Sequence, residues 1–266
     1  MSVVYSTFLL IGIFSGFLSG LFGVGGGVIL VPSLLITFTY FNFPAETLMH
    51  LVLGTSLSCI IITCLNSSYA HLRKVKLDKT VFFNITAGII LGASSGGYIV
   101  TYLSTFQLQV FFVLFLLLVT FKMFVGFSVH TNKKIIPRPY YWIVGYLIGM
   151  KSTLLGVGGG TLSVPFLNWT GKKMHEAVAI SATIGIPIAV IGTISYMISG
   201  FNVQGLPQYS LGYVYLPGFI GISITSTFSA RFGANLSHKI SHEKLRNIFK
   251  YFLLVILLKS IFNLFN

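Results

Sequence analysis

Apolar stretches of about 20 residues recur along the whole chain and are separated by short polar connections. This is the length that an α-helix needs to cross a hydrocarbon core of about 30 Å. The stretches are spread over the sequence and are not confined to one end, so no part of the chain reads as a separate soluble domain. The pattern therefore predicts an all-α polytopic membrane protein.

The apolar stretches form two sets of four, and the first member of each set is unusual. It is too long for a single span, and five residues that include four glycines interrupt it. Glycine inside a helix is less favourable than alanine by about 1 kcal/mol, so we expect the helix to break at each glycine cluster. The stretches cover residues 5–41, 46–71, 80–102 and 106–127 in the first set and 140–170, 175–199, 212–237 and 245–265 in the second.

The two sets are copies of one another. The cluster Gly23-Val24-Gly25-Gly26-Gly27 and the following Pro32 recur 133 positions later, as residues 156–160 and Pro165 (156 − 23 and 165 − 32). The triplet Met49, His50 and Ser56 recurs at a shift of 125, and five residues between 104 and 122 recur at a shift of 137. We therefore predict an internal duplication, with membrane repeats at residues 1–128 and 140–266 and a cytoplasmic linker at 129–139.

Loop charges indicate how each broken stretch lies in the membrane, because cytoplasmic loops collect Lys and Arg. If each broken stretch crossed the bilayer, two of the four positive loops would fall outside. If each stretch instead enters, breaks at its glycines and leaves on the same side, all four loops are cytoplasmic. These loops contain Arg73-Lys74-Val75-Lys76, Lys133-Lys134, Lys172-Lys173 and the segment 239–246.

The second arrangement gives each repeat three crossings, which is an odd number, so the two repeats lie in opposite orientations. We therefore predict two inverted repeats, each made of a Gly-broken re-entrant helical hairpin and three transmembrane helices. Inverted repeats are a recurrent plan of secondary transporters, whose substrate site lies near the membrane midplane where the repeats meet.

Composition and charge agree with a membrane protein. Hydrophobic residues make up 55% of the chain and charged residues 8%, with a mean hydropathy of +0.89, whereas about one quarter of a soluble domain is charged. The net charge of +13 comes from Lys and Arg that lie mostly in the short connections, without a basic stripe of interleaved aromatics. We therefore expect membrane lipid around the protein and no nucleic-acid partner.

The two glycine breaks are the strongest candidates for a binding site. A hairpin tip inside the membrane must be buried in protein or line a wet cavity. The arm that leaves the tip begins with N–H groups that lack helical partners and carry the positive end of the helix dipole, which suits an anion. We predict a shared anion cradle formed by Gly25, Gly26, Gly27 and Val28 at one tip and Gly158, Gly159, Gly160 and Thr161 at the other. Close helix packing remains the alternative role for these glycines.

Three side chains are candidates to complete this cradle. Lys151 lies about 17 Å along its stretch from Tyr140, near the membrane centre, where an ionisable group is a functional candidate. A structural pairing of the lysine with backbone carbonyls is the alternative. Ser56 and Ser181 lie within the first turns of equivalent stretches and present hydroxyls, although back-bonding to the preceding turn would explain them equally well.

Acidic residues are almost absent from the predicted spans. Glu46, Asp78, Glu176 and Glu243 all lie in or beside loops. No carboxylate is therefore placed to act as a proton relay or a cation counter-ion within the membrane, which argues against a cation transporter built on buried acids. Sodium coupling through carbonyls and hydroxyls stays open.

The glycine clusters resemble those of the TauE/SafE family of sulfite exporters. The resemblance covers Ser19 to Gly27 with Pro32, the copy from Leu154 to Pro165, the step Gly54-Thr55-Ser56, and His71-Leu72-Arg73. It implies a permease for small sulfur-containing or carboxylate anions, such as sulfite, sulfonates or sulfoacetate, in a bacterial-type cytoplasmic membrane. The second repeat departs from the pattern, because Ala179-Ile180-Ser181 stands where the first has Gly54-Thr55-Ser56.

A secondary transporter or a channel-like facilitator for a small anion explains these features together. An intramembrane enzyme would need a nucleophile with a base, a metal cluster or a pair of carboxylates, and a structural subunit would not need two broken hairpins. We expect no cofactor and no metal. The sequence leaves open which anion moves and in which direction, whether protons or sodium drive it, and whether the chain forms a homo-oligomer.

Overall fold

A computed structural model describes residues 2–22, 26–73, 78–125, 137–172, 174–237 and 242–265. These residues form ten α-helices and one short β-hairpin. The helices of the first repeat are α1 (Ser2–Phe22), α2 (Gly27–Tyr40), α3 (Leu48–Leu72), α4 (Lys79–Val100) and α5 (Thr105–Val125), and those of the second are α6 (Arg138–Leu155), α7 (Gly160–Trp169), α8 (Met174–Ser199), α9 (Leu216–Ser237) and α10 (His242–Phe265).

The helix is interrupted at both glycine clusters, as the sequence predicts. The first long stretch divides into α1 and α2, and the second divides into α6 and α7. The ring of Phe8 in α1 lies 6.4 Å from that of Phe41 after α2, and the ring of Tyr141 in α6 lies 6.0 Å from that of Phe166 in α7. The outer ends of each helix pair therefore lie side by side, and the chain reverses direction at each break.

The all-α prediction needs one correction, at the start of the stretch 212–237. Strands β1 (Ser210–Leu211) and β2 (Val214–Tyr215) form an antiparallel hairpin, and helix begins only at Leu216. Gly212 makes the turn with a φ of +54°, a left-handed conformation that side chains rarely adopt. A Cβ at Gly212 would also collide with the carbonyl oxygen of Met197. Turn geometry and packing against α8 thus take these residues out of the helix.

Glycines bring two helix pairs into close contact. A Cβ at Gly12 of α1 would lie 2.7 Å from the carbonyl oxygen of Ile222 in α9, and a Cβ at Gly149 of α6 would lie 2.5 Å from that of Ile89 in α4. Small residues let helix backbones approach in this way inside membranes. In the predicted repeats, α6 corresponds to α1 and α4 corresponds to α9. The pair α6–α4 is therefore the counterpart of the pair α1–α9.

Helices α3 and α8 pack against each other in the centre of the molecule, and α5 packs on α10 at the side. These two pairs also map onto themselves when the halves are exchanged. Helix α3 is largely buried, with Leu51, Leu53, Leu57 and Ile60 all fully buried. The breaks of both repeats lie against this central pair.

Contacts between connections show which helix ends lie together. Lys172, between α7 and α8, forms an ion pair with Asp78 before α4, with 2.5 Å between Nζ and Oδ2. At the other ends of the helices, the Thr105 hydroxyl donates to the Glu46 carbonyl at 2.6 Å, and the His50 ring lies 4.8 Å from that of Tyr213. The connections α3–α4 and α7–α8 therefore share one end of the molecule, while α2–α3, α4–α5 and α8–α9 share the opposite end.

Length and apolar composition make several helices able to span a membrane. Within the described residues four meet both criteria, namely α3, α4, α5 and residues Glu176–Ser199 of α8. Residues Tyr5–Gly20 of α1 and the whole of α2 are apolar but shorter. The prediction of a polytopic helical membrane protein is therefore confirmed. The predicted linker lies almost entirely outside the described residues.

Candidate functional site

The two helix breaks meet inside the protein. A Cβ on Gly27, the first residue of α2, would lie 2.7 Å from the Cα of Val157 and 3.0 Å from the carbonyl oxygen of Gly156. The start of α2 therefore packs directly on the end of α6. Ser56 of α3 joins this contact, because its hydroxyl donates a hydrogen bond of 2.8 Å to the Gly156 carbonyl. The predicted meeting of the two glycine clusters is thus present in the fold.

The first break is tightly packed around Gly26. This residue precedes α2 with a φ of +78°, and its carbonyl accepts hydrogen bonds from the N–H groups of Ile29 and Leu30. Val28 is buried, with 1% of its surface exposed. A Cβ at Gly26 would be 3.4 Å from the Ser19 side chain. Gly25 lies outside the described residues.

The second break leaves backbone donors unused. The N–H groups of Gly158 to Thr161 find no acceptor within the described part of the chain. The carbonyl of Gly159, by contrast, accepts from the N–H groups of Leu162 and Ser163 and from the Ser163 hydroxyl. The first turn of α7 therefore presents donors and the positive end of the helix dipole, which is the arrangement that favours an anion.

A small cavity of about 20 Å³ lies in front of these donors. Gly158, Gly159, Gly160 and Ser181 line it, together with Cys64, Ser67 and Ala182. A cavity of this size holds about one water molecule, so an oxyanion needs a local widening of the site. In this structure the cavity is therefore too small for an oxyanion.

Ser181 supports the second break through a chain of hydroxyls. Its Oγ lies 2.6 Å from Ser163 Oγ, and Ser163 donates to the Gly159 carbonyl at 2.7 Å. A hydroxyl has one proton, so Ser181 donates to Ser163 in this arrangement. Ser56 and Ser181 therefore both hold the backbone of the second break, one at Gly156 and the other through Ser163.

Lys151 does not lie with these residues. Its side chain is exposed, and it shares the exposed face of α6 with Leu147 and Ile143, one and two turns earlier. The opposite face carries Gly145 and Gly149, whose packing on α4 fixes the rotation of the helix. Lys151 lines neither the small cavity at the second break nor a larger cavity beside α3. The role of Lys151 in substrate binding stays a prediction.

A larger cavity, of about 480 Å³, lies between α1, α3 and α9. Sequence analysis missed it, because its walls come from three distant segments of the chain. Ser67 borders both this cavity and the small one at the second break. The lining consists of Ser19, Gly20, Thr63, Asn66, Ser67, Tyr69, Ala70, His71, Arg73, Thr227, Ala230 and Arg231. We call it the α3 cavity.

The charge on the α3 cavity is positive. Arg73 and Arg231 line it from α3 and α9, and its described lining contains no Asp or Glu. The Arg73 guanidinium lies 4.3 Å from the centre of the Tyr69 ring and donates a hydrogen bond to the Tyr69 hydroxyl. Asp78, the nearest acid along the chain, is engaged by Lys172, whose hydrogen bond holds the pKa of that carboxyl below its usual range. Asp78 is therefore paired with Lys172.

These features define a multi-pass helical membrane protein whose interior holds two apposed helix breaks beside a positively charged cavity. Comparison with known proteins then gives the family. The family model described as Sulfite exporter TauE/SafE matches residues 8–260, so the chain belongs to this family. The resemblance noted in the glycine clusters is confirmed.

Similar proteins occur in distant microorganisms. A protein of Haemophilus influenzae named as a probable membrane transporter is 35% identical over 251 residues, which cover 93% of this chain and 94% of the relative. A protein of Methanocaldococcus jannaschii with the same description is 31% identical over 248 residues, or 90% and 88% of the two chains. A Bacillus subtilis protein, again so named, is 26% identical over 268 residues, or 93% and 94%. No solved structure matches this chain.

Proposed function

We propose that this protein is a secondary transporter of a small organic or inorganic anion, bound near the membrane midplane where the two Gly-rich helix breaks meet. The observation that carries the proposal is the second break, where the N–H groups of Gly158 to Thr161 lack acceptors among the described residues and Gly158, Gly159 and Gly160 line a small cavity. Family membership supports transport, and sulfite, sulfonates and related carboxylates are the anions that we would test first.

Contacts between connections support the inverted arrangement of the repeats. If each broken stretch crossed the bilayer, the connections holding Asp78 and Lys172 would lie on opposite sides, yet these residues form an ion pair. The contact between His50 and Tyr213 argues against the same alternative at the other end of the molecule. Re-entrant hairpins satisfy both contacts, and the exchange-symmetric helix packing is the pattern that duplicated halves produce.

Positive charge supports the side on which the α3 cavity opens. Arg73 belongs to a positive loop that the charge rule assigns to the cytoplasm. The α3 cavity therefore opens to the cytoplasm in this conformation, while the cavity at the second break is narrow. The plasma membrane of a prokaryote-type cell is the proposed location, with lipid around the exposed apolar faces.

Transport measurements in proteoliposomes test the proposal directly. We expect saturable flux of labelled sulfite or sulfoacetate that is absent from protein-free liposomes, because a bound intermediate limits the rate of a transporter. Imposing proton and sodium gradients separately would show which ion is coupled. Flux of cations only, or no anion flux under either gradient, would overturn the proposal.

A further inference from the structure

We propose that the α3 cavity is a binding site for an organic anion, whose sulfonate or carboxylate head is held by Arg73 and Arg231 and whose short tail lies along the small apolar residues of the walls. This site is separate from the anion site proposed at the helix breaks. The proposal rests on the proposed function. It assigns chemistry to residues from both repeats that the glycine pattern does not include.

Geometry favours capture of a planar or tetrahedral anionic head. A guanidinium presents its N–H donors as a rigid fork that matches carboxylate and related oxyanions. Stacking on Tyr69 holds the Arg73 guanidinium at the cavity. Arg231 lines the same cavity from α9. The Asn66 amide donates a hydrogen bond of 3.2 Å to the Thr227 hydroxyl, and this bond joins α3 to α9. The cavity therefore presents two guanidinium groups on otherwise mostly apolar walls.

Size favours an organic anion over an inorganic one. The volume of about 480 Å³ falls within the range of about 300–1,000 Å³ that is typical of small-molecule sites. A single inorganic oxyanion would leave most of this space to water. Gly20, Ala70 and Ala230 supply small apolar surface beside the arginines, where an alkyl tail would be removed from water.

Comparison of the two repeats shows that the helix arrangement alone does not require these polar side chains. At the shifts of 125 and 137 found in the sequence, the positions of Asn66, Ser67, Arg73, Thr227 and Arg231 correspond to Ile191, Gly192, Ile198, Ile90 and Ser94. At this equivalent place Tyr196 is fully buried and donates to the Thr153 carbonyl at 3.3 Å. The equivalent positions are thus mostly apolar in one half, whereas the α3 cavity carries two arginines in the other.

The adjacent cavities suggest an order of events. Ser67 lines both the α3 cavity and the small cavity at the second break, so the two are neighbours. An anion held by the arginines therefore occupies a cavity that adjoins the one at the start of α7. The arginine site then binds the anion first, on the cytoplasmic side. Widening of the cavity at the second break lets the head group move to the N–H groups of α7.

Binding measurements on the full-length protein in lipid nanodiscs test this site. The probes are inorganic sulfite and butanesulfonate, which share a sulfur oxyanion head and differ in the tail. Arg73→Gln and Arg231→Gln should each weaken butanesulfonate binding by about tenfold or more, because each removes charge-assisted hydrogen bonds. Arg138→Gln, which changes an exposed arginine at the start of α6, is the matched control and should change the affinity by less than about twofold.

A second variant tests the tail. Ala70 is exposed in the cavity, so Ala70→Leu should leave the melting temperature unchanged while it weakens butanesulfonate binding and spares sulfite. Equal effects of Arg138→Gln and Arg231→Gln, or unchanged butanesulfonate affinity in Ala70→Leu, would overturn the site. Loss of sulfite transport in variants of the second break, with wild-type behaviour of the arginine variants, would overturn this inference alone. Absence of binding of either probe to the wild-type protein would overturn the proposed function as well.

Discussion

Gly158→Ala separates anion binding from folding at the second break. The added Cβ would have one neighbour, Ile60 Cγ2 at 3.5 Å, which is an ordinary van der Waals contact. Gly158 is not among the glycines with positive φ, so alanine fits its backbone conformation. We therefore expect the variant to fold and its melting temperature to change by less than about 2 °C.

Binding should respond differently, because the methyl group would project into a cavity of about 20 Å³ beside the free N–H groups. A hydrogen bond to a charged group contributes about 1.5–3 kcal/mol, so losing one weakens binding by about 10- to 100-fold. Calorimetric titration with sulfite, beside a melting curve of the same sample, measures both quantities. Wild-type affinity in a folded Gly158→Ala protein would refute the assignment of the anion to this break.

Gly27→Ala is the matched contrast at the first break. Its Cβ would lie 2.7 Å from Val157 Cα and 2.9 Å from Ile60 Cδ1, and a backbone atom cannot rotate away. Overpacking of this kind costs about 1–3 kcal/mol, which corresponds to a fall in melting temperature of about 2–12 °C. A stable Gly27→Ala protein would show that the two breaks do not pack as described.

Three further outcomes follow. Gln204→Cys should react with an impermeant thiol reagent only from outside and Lys172→Cys only from inside, and labelling of the latter from outside would contradict the inverted repeats. If Lys151 supplies charge to the anion site, Lys151→Met should abolish anion transport while the protein stays folded, and Lys122→Met should matter much less; wild-type transport by Lys151→Met would remove the lysine from the mechanism. The lowered pKa of Asp78 adds stability above the ordinary Asp pKa of about 3.9, and this stability is lost as the pH falls through the lowered value. Asp78→Asn should therefore melt earlier at neutral pH and lose less on acidification, as a pH series of melting curves would show.

Features set by local sequence could be predicted. Four glycines in five residues disfavour helix wherever they stand, so both breaks lie where the pattern places them. The apolar stretches give helix boundaries close to those observed, since each is bounded by polar connections. Repetition of the glycine cluster also predicted that the two breaks meet, and Gly27 does pack on Gly156 and Val157. That the two breaks form one binding site stays a prediction.

Features set by helix packing could not be predicted from the same pattern. Asn66 and Arg231 line one cavity only because α3 packs near α9, and nothing local to either residue indicates this. The exposure of Lys151 also depends on packing, because Gly145 and Gly149 form the face of α6 that contacts α4. The role of Lys151 in anion binding stays a prediction.

The β-hairpin at 210–215 makes the two ends of the molecule unequal. Its residues Tyr213, Val214 and Tyr215 are almost fully buried, and the N–H of Tyr215 donates to the Thr55 hydroxyl at 3.0 Å. The equivalent connection in the first repeat, between α3 and α4, spans only six residues, 73–78. The hairpin has no counterpart in the first repeat. In the proposed transport cycle we therefore expect the two ends to open at different rates, because one of them has to release these buried tyrosines.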